Sequence, residues 1–192
     1  FASSAASDVY KRQLIFLDVR RAYFNAVCRT RTFVLPPHLK GTGRCWDLQR
    51  SMYGTLPAGQ DWQYEVTRVF VDELGFVASP ANPCFFVKIE IEVHVVVHGD
   101  NINAAGEEDN LLWLEAGLKQ HWEIVREALL GPEPQDDKEA TTLNRVVRFV
   151  EQGVEVEADI RHAEIIIAQT GLAGEGARGS TRTGNRADFR KD

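Results

Sequence analysis

Three residues of this 192-residue chain, Asp18, Asp100 and Asn101, have the types and placement to hold divalent cations. Asp18 ends the apolar run Gln13-Leu14-Ile15-Phe16-Leu17, the pattern of a buried strand that delivers an acid to its exposed end. Asp100 lies in Gly99-Asp100-Asn101, strong turn chemistry after the β-branched run Val93-His94-Val95-Val96-Val97-His98. Two-metal nucleotidyl transfer needs carboxylates converging from separate segments, because the cations must lie about 3.5–4 Å apart to bridge attacking and leaving oxygens. Asn101 supplies an amide where a third carboxylate would complete such a set.

These side chains meet only if the surrounding elements bring them together. From Ala58 to Leu74 the residues Trp62, Val66, Val69, Phe70 and Leu74 recur at helical steps, and Gly75 is a natural stop. The pattern predicts an amphipathic helix that Trp62 anchors against a sheet. Cys84–Val87 and Val93–His98 read as strands, followed by a tight turn and a strand through Ile102 to Ala105. A second helix is expected from Glu107 to Gln120, with Leu111, Leu114 and Leu118 on one face and acids at its positive end.

Trp122 to Leu130 reads as a strand closed by Gly131-Pro132, and the polar segment 131–139 as a loop. Leu143–Val150 and Val154–Ala158 form a predicted hairpin around Gln152-Gly153, and Asp159 is placed to cap a helix from Ile160 to Thr170, stopped by Gly171. The sum is an α+β fold, an antiparallel sheet backed by helices. The expected division is a lead-in at 1–12, one domain at 13–172 and a tail at 173–192. From Gly174 that tail holds only Phe189 as a large apolar residue, too little to offset chain entropy, and is expected to be disordered.

Composition narrows the partners. With 44% hydrophobic and 26% charged residues the chain falls in the globular range. A formal charge of −6 excludes coating of nucleic acid by bulk electrostatics, so any such contact must be local. No apolar run approaches a membrane span and the first residues lack the basic start of a secretion signal, which predicts an intracellular protein, cytoplasmic or nuclear, without a membrane partner. Cys28, Cys45 and Cys84 are odd in number and widely spaced, giving neither a disulfide framework nor a zinc knuckle. His94 and His98 share a strand face, but no Cys or third His lies near them in sequence. Arg178, Arg182, Arg186, Arg190 and Lys191 read as a solvated basic end.

Four blocks in order give a more specific signal: Asp18-Val19-Arg20-Arg21-Ala22-Tyr23-Phe24-Asn25, Ser51-Met52-Tyr53-Gly54 with Ala58 and Trp62, Asn82-Pro83-Cys84-Phe85-Phe86, and Val97-His98-Gly99-Asp100-Asn101. The set resembles the reverse transcriptase domain of Ty1/copia retrotransposons. The likeness extends through Asp137-Lys138-Glu139, Leu143-Asn144-Arg145 and Arg161-His162-Ala163-Glu164 to about Leu172. The fourth block departs from the family's Tyr-x-Asp-Asp, with His98 for the Tyr and Asn101 for the second Asp.

The resemblance implies a reverse-transcriptase-like palm and RNA-directed DNA synthesis from deoxynucleoside triphosphates on a template-primer. Asp18 and Asp100 would be the ligands of Mg2+, or of Mn2+ in its place, and Asn101 would occupy the third ligand position. Tyr23 would lie beneath the incoming sugar and exclude a 2′-hydroxyl, and Gln60 would offer the substrate a polar contact. Only 17 residues precede Asp18, so the fingers that grip the triphosphate are expected to be largely missing from this polyprotein fragment. With Asn101 in the metal site as well, the expected activity is weak or absent. The alternative is a non-catalytic protein-interaction module on a polymerase-like scaffold.

Overall fold

A computed structural model of the chain describes residues 12–151, 153–157 and 160–170. Its main element is β1 (Gln13–Val19), whose alternation puts Ile15, Leu17 and Val19, each fully buried, on one face and Leu14, Phe16 and Asp18 on the other. Around it lie β4 (Val77–Ala78), β5 (Phe85–Lys88), β6 (Val93–His98), β7 (Asn101–Gly106) and β8 (Ile124–Leu130). They form a six-stranded sheet in the order β4-β5-β6-β7-β1-β8, and every neighbouring pair is antiparallel. Two further short strands, β2 (Phe33–Val34) and β3 (Trp46–Asp47), pair separately.

Helices cover one face of this sheet. Ala58–Arg68 (α2) and Glu108–Leu118 (α3) supply Trp62, Val66, Leu111, Leu114 and Leu118 to a core that meets Val93, Val95, Val97, Ile102 and Ala104 from the strands. Phe70 stacks on Phe86 at 4.7 Å between ring centroids and meets Phe76 edge-on at 5.3 Å. The predicted helix from Ala58 to Leu74 changes character at Val69: Val69–Glu73 form a π-helical turn, and the Leu74 N–H reaches the Val69 carbonyl at 3.0 Å. Lys88 Nζ then donates to the carbonyls of Leu74 and Gly75, so this end is capped by a side chain from β5.

A second, three-stranded sheet of β9 (Glu139–Thr142), β10 (Arg145–Val150) and β11 (Gly153–Val156) lies against the opposite face. Val147, Ala140 and Phe149 pack on Leu14, Phe16, Ala128 and Leu130. Only the Leu14–Phe16 part of β1 is covered in this way, and its Asp18 end stays open.

Here the structure corrects two expectations. Glu139, expected to end the 131–139 loop, begins a strand that runs to Thr142, and Leu143 belongs to a turn rather than to the following strand. Leu143 and Asn144 have φ of 50° and 60°, the left-handed pair that a tight hairpin turn needs, and leucine is a poor signal for it. Residues 1–11 of the expected lead-in, Gln152, Ala158, the proposed cap Asp159, the stop at Gly171 and the tail from Gly174 lie outside the described residues.

The chain divides into two compact units, Phe1–Val156 and Glu157–Asp192. The second contains α4 (Ile160–Thr170), on which Ile165, Ile166 and Ile167 are exposed. Among the described residues no helix is long and apolar enough to cross a membrane.

One buried charge ties α3 to the sheet edge. Glu115 accepts from Arg126 Nε of β8 at 2.8 Å and from Arg126 Nη2, and pairs with Lys119 Nζ at 2.7 Å. Burial by itself pushes the Glu115 carboxyl up, but the hydrogen bonds and charges of Arg126 and Lys119 outweigh it and hold the group below its ordinary value. A depressed folded value means the stabilisation is present above the unfolded value of 4.5 and is lost as pH falls through the folded one. Glu115→Gln is therefore expected to cost about 2 kcal/mol at neutral pH, below the range for fully buried pairs because both cations keep contact with water. Denaturant unfolding at pH 7 and pH 3 checks this, and the difference from the native chain should narrow at the lower pH.

Candidate functional site

β1, β6 and β7 are in the one register that places the chemistry together. Asp18 lies directly opposite Asn101 across β1 and β7, and Asn101 lies opposite His98 across β7 and β6. Partners in an antiparallel pair share a face, so all three project on the side away from the helices. Gly99 and Asp100 form the two-residue turn between them, with Gly99 at φ 62°, the sign that a type II′ turn requires at its first position.

That turn is fixed from two sides. The Val19 N–H donates to the Asp100 carbonyl at 2.9 Å, which extends the β1 ladder into the turn itself. From the helical layer, Trp62 Nε1 donates to the Gly99 carbonyl at 2.6 Å while its ring packs on Trp122 at 4.8 Å. Trp62 thus anchors its helix as its spacing predicts, and it also holds the turn that carries Asp100.

The two carboxylates feel each other. Burial first, then the negative charge of Asp100, raises the Asp18 carboxyl above its ordinary value, and Arg20 opposes the shift. Asn101 Nδ2 donates to Asp100 Oδ1 at 3.3 Å, so the amide turns its positive end to the turn carboxylate. Among the described residues no group of three or more His, Cys, Asp or Glu converges to hold a metal, and this site offers two carboxylates and one amide. His94 stacks on Phe85 at 6.1 Å instead of joining a ligand set.

Tyr23 follows β1 in the chain through a sharp bend. Arg21 has φ 55° and ψ 41°, and the four-residue helix α1 (Ala22–Asn25) begins straight after it, beside the Asp18 end of β1. The Tyr23 ring meets Tyr53 at 4.4 Å, and Tyr53 meets Phe24 edge-on at 5.6 Å. Burial and the charge of Asp100 both raise the Tyr53 phenol, whereas the backbone of Tyr23 and Ala22 favours its ionised form. Gln60, by contrast, is exposed on the first turn of α2 and shares no hydrogen bond with these residues.

The strand register brings Asp18 and Asn101 face to face with Asp100 in the adjoining turn; Tyr23 is linked to them only through its ring contact with Tyr53, and Gln60 is exposed with no hydrogen bond to any of them. Nothing in the spacing of Ser51-Met52-Tyr53-Gly54 gives Tyr53 a role, because its contacts are all made across the fold. The clefts beside Arg12 and Glu92, Arg29 and Tyr64, and Lys138 and Phe149 lie elsewhere. No family model matches the chain, and a search of curated proteins found no match.

Because the folded Asp18 carboxyl is raised, it contributes stability that is full below the unfolded value of 3.8 and is lost as pH rises through the folded one. Asp18→Asn is accordingly expected to raise the Tm at pH 7, by about 2 °C or more. The gain should vanish at pH 3. Thermal melts at both pH values check this, and a lower Tm at neutral pH would show that the two carboxylates do not repel.

Proposed function

We propose that the chain is a fragment of a Ty1/copia-type reverse transcriptase, an RNA-directed DNA polymerase, in a form that is weak or inactive as it stands. The observation that carries this reading is the convergence of Asp18 at a strand end with Asp100 in a hairpin turn on the open face of an antiparallel sheet. Two-metal nucleotidyl transfer needs ligands that converge closely enough to hold its cations about 3.5–4 Å apart. The ordered motif blocks supply the particular family.

In this reading Asp18 and Asp100 would hold Mg2+ or Mn2+, hard cations that take oxygen ligands. Bound there, such a cation would supply the positive charge that the triphosphate and the primer hydroxyl need. The donor set suits one cation and falls short for a pair, since Asn101 carries no negative charge and points its amide nitrogen at Asp100. Tyr23 would form an aromatic floor for the incoming sugar, where a ring would crowd a 2′-hydroxyl and favour deoxynucleotides. The template-primer would lie along the open end of the sheet, and with a net charge of −6 its contacts would be local.

The test is primer extension on an RNA template with Mn2+, comparing the native chain with Asn101→Asp. Restoring the carboxylate is expected to raise incorporation by roughly 100-fold, the scale of losing or gaining one charge-stabilising group in an active site. Template-primer binding that is identical in Mn2+ and in chelator, with no incorporation by either protein, would sink the polymerase reading. It would favour the non-catalytic interaction module.

A further inference from the structure

We propose that Tyr53 is a positioning residue that props the Tyr23 ring beside the Asp18 and Asp100 end of the sheet and so sets how closely a nucleotide sugar can approach. The second half of this inference rests on the polymerase reading; the first half does not.

Helix formation alone does not fix the orientation of the Tyr23 ring. It sits in a helix of four residues, far below the length at which a helix persists unaided, and enters it from a left-handed Arg21. Ala22 and Ala26 are fully buried in the core and anchor the backbone there, while the neighbouring Phe24 ring is exposed. The ring is partly buried against the main core, and the ring contact that sets its tilt is Tyr53, at 4.4 Å with planes inclined by 44°. Aromatic rings at such separations favour particular offset or edge arrangements, so this contact selects an orientation as well as a distance.

Tyr53 itself is firmly based. The preceding Ser51 is fully buried, donates its N–H to the Ala26 carbonyl at 3.0 Å and donates Oγ to the buried Asp61 of α2 at 2.7 Å. Arg50 Nη1 bonds the Asn25 carbonyl at 2.7 Å. After it, the turn closes through Thr55, whose N–H and Oγ1 both donate to the Met52 carbonyl, and Gly54 at φ 86° makes the reversal possible. The segment is thus tied both to α2 and to the end of α1, and the Tyr53 ring extends from it across Tyr23 and Phe24.

Incorporating 3-fluorotyrosine at position 23 of the full chain and recording its 19F spectrum tests the first half. The native chain and Tyr53→Phe are expected to give the same shifted resonance, because the supporting ring is retained. Tyr53→Ala and Tyr53→Leu should move it toward the position of unfolded chain while circular dichroism stays native; the leucine keeps bulk if the alanine fails to fold. A resonance unmoved in Tyr53→Leu, or moved equally in Tyr53→Phe, overturns the prop.

Mn2+ separates this from the wider reading. Paramagnetic broadening at position 23 that disappears in Asp18→Asn supports the polymerase site, and no broadening defeats that site with the prop still decided by the shifts. In an active Asn101→Asp chain, adding Tyr53→Leu should lower the preference for deoxynucleotides over ribonucleotides by roughly 10-fold, the scale on which pocket shape discriminates, and Tyr53→Phe should not. An unchanged preference would remove the sugar-selecting role.

Discussion

The pairing of β1 with β7 is the constraint on which the rest of the molecule depends. Six residue pairs, from Gln13 with Gly106 to Asp18 with Asn101, put Leu17 against Ile102 and Ile15 against Ala104 on the helical side. The side-chain period of a strand is two, so a slip by one residue would turn this apolar set to solvent and drive Asp18 into the core. Burying Ile15, Leu17, Val19, Ile102 and Ala104 therefore fixes the register, and the register alone decides that Asp18 faces Asn101. The carboxylate site is a by-product of core packing one layer away.

The second sheet uses that same strand differently. It covers Leu14 and Phe16 with Val147 and Phe149 and stops short of Asp18, where Asn103 Nδ2 makes a long 3.4 Å bond to Thr142 Oγ1. The connection into it is tightly built. Buried Asp136 accepts from Gln13 Nε2 at 3.1 Å and from the Glu133 N–H at 2.9 Å, and Lys138 Nζ donates to the carbonyls of Gly131 and Glu133. A side chain at Gly131 would run into Gln13 Cγ at 2.6 Å and into the Asp136 carboxylate, so only glycine lets the chain pass there.

Periodicity made much of this legible from sequence. The alternation of β6, the helical spacing of Trp62, Val66, Val69 and Phe70, and the turn residues Gly99 and Asp100 are local signals with local causes. What stayed hidden was decided at a distance. Glu139–Thr142 is polar and becomes a strand because β10 lies beside it, Leu143 takes a conformation its own chemistry disfavours, and the π-helical turn ends on a lysine from β5. Within the site, Asp18 and Asp100 were readable as residue types, whereas Tyr53 depends on ring contacts across the fold and Gln60 turned out to face solvent.

The hydrogen bond from Asn101 to Asp100 bears on how such a scaffold can persist. A cluster of three carboxylates is a standing load on a fold, relieved only while an ion is present. An amide in one of those places adds no charge and donates a hydrogen bond to Asp100 instead, so the repulsion left is that between Asp18 and Asp100 alone. The hairpin therefore keeps its geometry by bonds of its own, and its fold does not require an ion at this end of the sheet.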